Sequence, residues 1–131
     1  MNKSRILIVD DDVNITRLVT LLLVMRSGWE VRAENRPYAA LATAKQFGPD
    51  LILLDVDMPG KDGGQIAAEF RAHPRFANVP IVFLTSLVSP HDTANGPIMR
   101  RGMPFLSKPV NHLVLERTIN DLLDPASPAA A

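Results

Sequence analysis

Four short apolar runs in this 131-residue chain each stop at a residue able to handle a phosphoryl group or a metal ion: Asp10-Asp11-Asp12, Asp55, Thr85 and Lys108. If the runs are strands of a parallel sheet with right-handed crossovers, they end on one edge, where residues distant in sequence meet. That edge holds a carboxylate cluster, one hydroxyl and one ammonium. Clustered carboxylates in a partly dry cleft repel each other, and a raised pKa or a bound cation relieves them. With Lys108 opposite, the pattern reads as an acidic pocket for a divalent metal and a phosphoryl group.

The elements that must position these residues are legible as pattern. Ile6-Leu7-Ile8-Val9, Leu51-Ile52-Leu53-Leu54 and Ile81-Val82-Phe83-Leu84 are unbroken apolar runs, as expected of parallel strands covered on both faces. Trp29 to Ala33 alternates, which suits an edge strand, and Phe105-Leu106-Ser107 is a shorter fifth strand at the other edge. Ile15, Leu18, Val19 and Leu22 fall at helical spacing, as do Leu115, Ile119, Leu122 and Leu123. Gly28 is placed to cap the first helix, Pro37 to Gln46 forms the second, and a third runs from Gly64 to Ala72 until Pro74 stops it. The expected fold is α/β, a three-layer doubly wound sheet of five parallel strands in the order 2-1-3-4-5.

Composition narrows the function classes. The formal net charge is zero and 47% of residues are hydrophobic, which argues against nucleic-acid or membrane binding through bulk electrostatics. There is no cysteine, so thiolate catalysis, disulfides and cysteine zinc sites are excluded. Length and the short, Asp10-interrupted apolar start predict one cytoplasmic domain over residues 1–124, with 125–131 a disordered tail or linker stub. His73, His91 and His112 lack metal-ligand spacing and are read as surface or packing residues.

Ile6 to Asp12, the stretch Asp50 to Gly63 around Asp55-Val56-Asp57-Met58-Pro59-Gly60, Phe83-Leu84-Thr85-Ser86 and Phe105-Leu106-Ser107-Lys108-Pro109 together resemble the receiver domain of bacterial response regulators. Four motifs in order, each after a predicted strand, carry the resemblance, which covers Lys3 to Leu123. It implies a flavodoxin-like receiver fold and a phosphorylation-controlled switch in a two-component pathway. Asp55 would accept a phosphoryl group from a histidine kinase, a phosphotransfer protein or a small phosphodonor. Asp11 would be a direct Mg2+ ligand and Asp10 would act mainly through a metal-bound water. Asp55 and the backbone carbonyl of Asp57 would add further oxygens, and Mn2+ would substitute for Mg2+. Lys108 would neutralise phosphoryl oxygens, and Thr85 would donate its hydroxyl and move inward. Phe105 would be the switching aromatic, and the bond before Pro109 would be cis. The resemblance also implies a downstream protein target, and only self-phosphorylation and slow self-dephosphorylation rather than turnover.

Taken singly, each residue has a plainer reading. Asp10 to Asp12 fit a helix N-cap cluster, the role assigned to Asp12. Asp55 and Asp57 flank a turn, Thr85 and Phe105 fit an ordinary strand, and a lysine before proline is usually solvated. Two other function classes stay open beside the switch. Asp55-Val56-Asp57 also resembles the aspartate pair of haloacid-dehalogenase-type phosphatases, ranked lower because a strand with its own acids comes first. The other class is a receiver-like module that binds partners without phosphorylation.

The chain departs from the family between Thr85 and Lys108. Asn95-Gly96-Pro97 is turn chemistry where a fourth helix is expected, and Pro97 inside a helix would cost about 3 kcal/mol or more. The fourth helix is therefore predicted to be short or irregular, at most about a turn starting at Pro97, and unfit to form a regular dimer face.

Overall fold

The computed structural model describes residues 3–124, so the predicted tail over 125–131 lies outside the described residues. The elements run β1 (Arg5–Val9), α1 (Val13–Ser27), β2 (Glu30–Glu34), a 3-10 turn (Pro37–Ala39), α2 (Ala40–Phe47), β3 (Leu51–Asp55), α3 (Gly63–Ala72), β4 (Ile81–Thr85), β5 (Ile98–Arg100), β6 (Met103–Ser107) and α4 (His112–Leu123). The sheet order is β2-β1-β3-β4-β6-β5, with every neighbour parallel except the antiparallel pair β5 and β6.

The predicted parallel order is therefore present, but the sheet has six strands, and β6 is not its edge. No helix joins β4 to β6 either: the chain makes turns from Ser89 to Gly96, and Pro97 precedes a strand rather than a helix. The cause is local. Ile98↔Phe105 and Arg100↔Met103 pair across a two-residue turn in which Arg101 (φ 52°) and Gly102 (φ 76°) are both left-handed, the conformation whose twist matches a tight hairpin.

Two apolar layers enclose the sheet. Leu7, Val9, Ile52, Leu54 and Phe83 face α2 and α3, whereas Ile6, Ile8, Leu53, Val82 and Leu106 face α1 and α4. Both sides of β1, β3 and β4 are dry, which is why those strands read as unbroken apolar runs.

Helix ends follow side-chain chemistry. The Asp12 carboxylate accepts from the backbone N–H of Asn14 and Ile15, confirming it as the N-cap of α1, and Gly28 (φ 69°) closes that helix. Asp62 caps α3 in a reciprocal box with Gln65. The face of α1 differs from the expected one: Thr16, Val19 and Leu23 are buried, while Leu18, Leu21 and Met25 are exposed. Leu18 to Met25 is almost wholly apolar, so periodicity alone could not set the helix's rotation.

Candidate functional site

Strand register assembles the site. Val9 pairs with Leu54, so Asp10, the next residue, stands beside Asp55 at the end of β3. Thr85 pairs with Ser107, so Lys108 follows at the same edge, and its N–H donates to the Thr85 carbonyl at 2.8 Å. Asp10, Asp55 and Thr85 are all buried, and Asp11 is exposed at the rim. One carboxylate oxygen from each of Asp10, Asp11 and Asp55 lies within 4.8 Å of the others.

Lys108 is the counter-charge. Its Nζ is 2.7 Å from Asp10 Oδ2 and 3.1 Å from Asp55 Oδ1. Asp10 Oδ2 is fully buried and is held by the Lys108 ammonium. Its other oxygen accepts from the Asp12 N–H at 3.0 Å. An oxygen so placed, beside two further carboxylates, suits a hard divalent cation, and Mg2+ is bound by oxygen donors of this kind.

Burial raises the Asp55 pKa most, the Asp10 charge raises it further, and Lys108 and the Asp57 N–H only partly offset them, leaving it at about 6. For Lys108, burial works against the ammonium, yet the attraction of Asp10 and Asp55 outweighs it and holds the pKa above its ordinary range. A buried carboxyl with a raised pKa beside a second carboxylate and a lysine is the kind of arrangement found in functional clefts.

Asp57 is exposed, and its N–H reaches Asp55 Oδ1 at 3.3 Å, which brings the Asp57 backbone to the pocket. Thr85 Oγ1 accepts from the Leu87 N–H at 3.0 Å and donates to no described residue. Phe105 is half-buried outside the pocket, stacked on Phe83 with ring centroids 4.7 Å apart and planes 20° apart. The Lys108–Pro109 bond is cis, as the resemblance implied.

Three supports of the site escaped sequence reasoning. Asn35 Nδ2 donates to the Asp10 carbonyl at 2.8 Å and to Thr16 Oγ1 at 3.0 Å, pinning the turn that carries the acids. A Cβ on Gly63 would sit 2.5 Å from the Asp55 carbonyl oxygen and 2.9 Å from Val56 Cα, so only glycine lets α3 begin this close to the end of β3. Thr93 Oγ1 donates to Ser107 Oγ at 2.9 Å in a buried contact, which ties the turn segment to the strand end before Lys108. The last glycine of the motif around Asp55 was a visible signal; Asn35 and Thr93 had none beyond their polarity.

Comparison with known proteins agrees with this geometry. A family model described as the response regulator receiver domain matches residues 6–120. The response regulator PleD of Caulobacter vibrioides is 34% identical over 119 residues, 91% of this chain but 26% of that protein's length. Protein PilH of Pseudomonas aeruginosa is 32% identical over 121 residues, 92% of this chain and 98% of PilH. The crystal structure of the Vibrio cholerae chemotaxis protein CheY4 superposes with a TM-score of 0.76 at 28% identity, covering 91% of this chain and 98% of that one.

Proposed function

The chain belongs to the family of response regulator receiver domains, which are signalling switches rather than turnover enzymes, and from that premise we propose that it is a switch phosphorylated on Asp55. The observation that carries the reading is the juxtaposition of Asp55 with Asp10, Asp11 and Lys108 on one sheet edge. In the proposed step an Asp55 carboxylate oxygen attacks the phosphorus of a phosphohistidine or of acetyl phosphate. The bond to the leaving nitrogen or oxygen breaks, its electron pair departs with the imidazole or acetate, and an aspartyl phosphate remains.

Attack by an anion on an anion sets the demands on the other residues. Asp10, Asp11, Asp55 and the Asp57 carbonyl would hold Mg2+, or Mn2+ in its place. When bound, the cation neutralises charge on the transferring group. Lys108, already within reach of Asp55, would meet phosphoryl oxygens as a point charge. The Thr85 hydroxyl has its hydrogen available, so it can donate to the new group by turning inward. Phe105 would follow that movement, two residues before Ser107 on the strand that pairs with β4.

A phosphodonor protein, a histidine kinase or phosphotransfer protein, finds a landing face beside the pocket. Leu18, Leu21 and Met25 form an exposed apolar stripe along α1, whose N-terminus starts at the acidic turn. The signal would then pass to a downstream protein in the cytoplasm. Among the described residues no helix is long and apolar enough to cross a membrane.

Acetyl phosphate labelling followed by mass spectrometry tests the reading: label on Asp55, dependent on Mg2+ or Mn2+ and slowly lost, is expected. Continuous hydrolysis of generic phosphate esters would instead support the phosphatase reading. The exposed carboxylate of Asp57 is expected to hinder the attacking water, so Asp57→Asn should lose label faster, and slower loss would reverse that assignment.

A further inference from the structure

We propose that the cleft between α3 and the β5–β6 hairpin is a docking groove for an amphipathic helix of a partner protein, apolar on one side and acidic along its flank. The proposal names the chemistry of the switch's partner, and rests on the switch reading only for its regulation. Because the chain between β4 and β6 forms turns instead of a helix, no helix among the described residues covers β6 and β5 on the α3 side. The segment is tied down at two points: Thr93 is bonded to Ser107 at the strand end, and Arg117 of α4 donates to the Asn95 carbonyl at 3.1 Å.

The result is a groove of about 700 Å³ with distinct walls. Its floor is the stacked pair Phe83 and Phe105 with Met103 beside them. Along one wall, α3 presents Gly64, Ala67 and Ala68, side chains small enough for a second helix to approach closely. The other wall is the β5–β6 hairpin with Arg100 and Arg101, both exposed and neither in an ion pair with any described residue. No acid occurs from residue 93 to 115, and Glu69 on α3 is already paired with Lys61. Arg71, also at the groove, is committed to the carbonyls of Phe76, Ala77 and Val79. The unmatched charge is therefore positive and sits at the rim of an apolar floor.

Charge selects the occupant. Residues 125–131 contain no acidic side chain, so that segment has no side-chain charge to complement the arginines. A second copy docked through the same face in a symmetric dimer would bring like charges together. An acidic amphipathic helix satisfies both floor and rim. Phe83 and Phe105 lie two residues before Thr85 and Ser107 on paired strands, so a shift of those strand ends reaches the floor directly.

The test uses the full chain, labelled with 15N, and a synthetic helical peptide of about 18 residues, roughly five turns, with a leucine stripe flanked by glutamates. A control peptide carries lysines in place of the glutamates. Saturable shifts confined to the α3 face, residue 83 and residues 98–105 are expected with the acidic peptide only. Arg100→Glu combined with Arg101→Glu should weaken it about tenfold or more and let the lysine peptide bind. Ala68→Trp, at an exposed position, should block binding without disturbing the rest of the spectrum. Equal binding of both peptides, no saturable shift, or shifts centred on α1 would overturn the proposal. So would a dimer through this face, or the same resonances moving when residues 125–131 are removed. Labelling of Asp55 by acetyl phosphate is measured separately: binding without labelling keeps the groove and defeats the switch, and labelling without binding defeats the groove alone.

Discussion

The two halves of the sheet's functional edge are built differently. Around β1 and β3 the acids are fixed by parallel register between two strands buried on both faces, with Asn35 and the Asp12 cap locking the turn above them. Between β4 and β5 the chain runs in turns held by a few side-chain bonds, Thr93 to Ser107 and Arg117 to Asn95, and the groove between α3 and the β5–β6 hairpin lies open beside it. Chemistry that needs oxygens at fixed separations sits on the side where backbone dictates position. Recognition, which tolerates adjustment, falls to the side where turns replace a helix.

The largest expected effect is on the acid side. Asp55→Asn removes the proposed nucleophile and should abolish acetyl phosphate labelling, more than about 100-fold. Lys108→Ala should reduce it strongly while leaving Asp55 labelled at long times. Wild-type labelling of the asparagine variant would remove the contrast between the halves, because the chemistry would then lie elsewhere.

Gly63→Ala comes next. A Cβ 2.5 Å from the Asp55 carbonyl oxygen must push α3 away from β3, at a cost of about 2–3 kcal/mol that a urea midpoint would show. Unchanged stability would mean that this side is more pliable than its register implies.

The pH dependence of metal-free stability is smaller. Because the folded state holds the Asp55 proton up to about pH 6, against an ordinary value of 3.8, folded protein binds more protons than unfolded protein across that interval. Stability should therefore fall as pH rises from about 4 to about 6, by about 1–2 kcal/mol after solvent screening at the pocket mouth. Asp55→Asn should flatten that interval, and Mg2+ should offset the fall. A slope of the opposite sign in chelator, or one unaffected by the substitution, contradicts the electrostatic account.

On the other half, Thr93→Val keeps shape but removes the buried hydroxyl, leaving Ser107 short of a partner, for about 1 kcal/mol. Its signature is regional: faster amide exchange over residues 86–97 with residues 6–9 and 51–55 unchanged. Uniform acceleration would show that the two halves are one cooperative unit.

What could be read from sequence follows the same division. Ile6 to Val9, Leu51 to Leu54 and Ile81 to Leu84 are buried on both faces, so their apolar runs announce strands, and the residues ending them announce the pocket. Asp12 and Gly28 were legible because capping is local chemistry. Strand β5 was not: three residues, Ile98 to Arg100, are too few to show alternation, and Arg101-Gly102 lacks the asparagine or aspartate that usually marks a left-handed pair. Leu18 was assigned to the core because an all-apolar stretch carries no phase. Asn35 and Thr93 act across distances that only the folded chain defines.

The hairpin also determines how the sheet ends. A sheet margin with free N–H and C=O groups invites lateral growth by another chain, and long apolar margins are where proteins aggregate. Here one margin is β5, three residues long, preceded by Pro97 and carrying Arg100; the other is β2, where Glu30, Arg32 and Glu34 put charge on alternate positions. Neither offers a flat apolar template. The protein is thus expected to stay dispersed at high concentration despite the groove beside α3, and lengthening β5 by replacing Pro97 would be the direct route to ordered self-assembly.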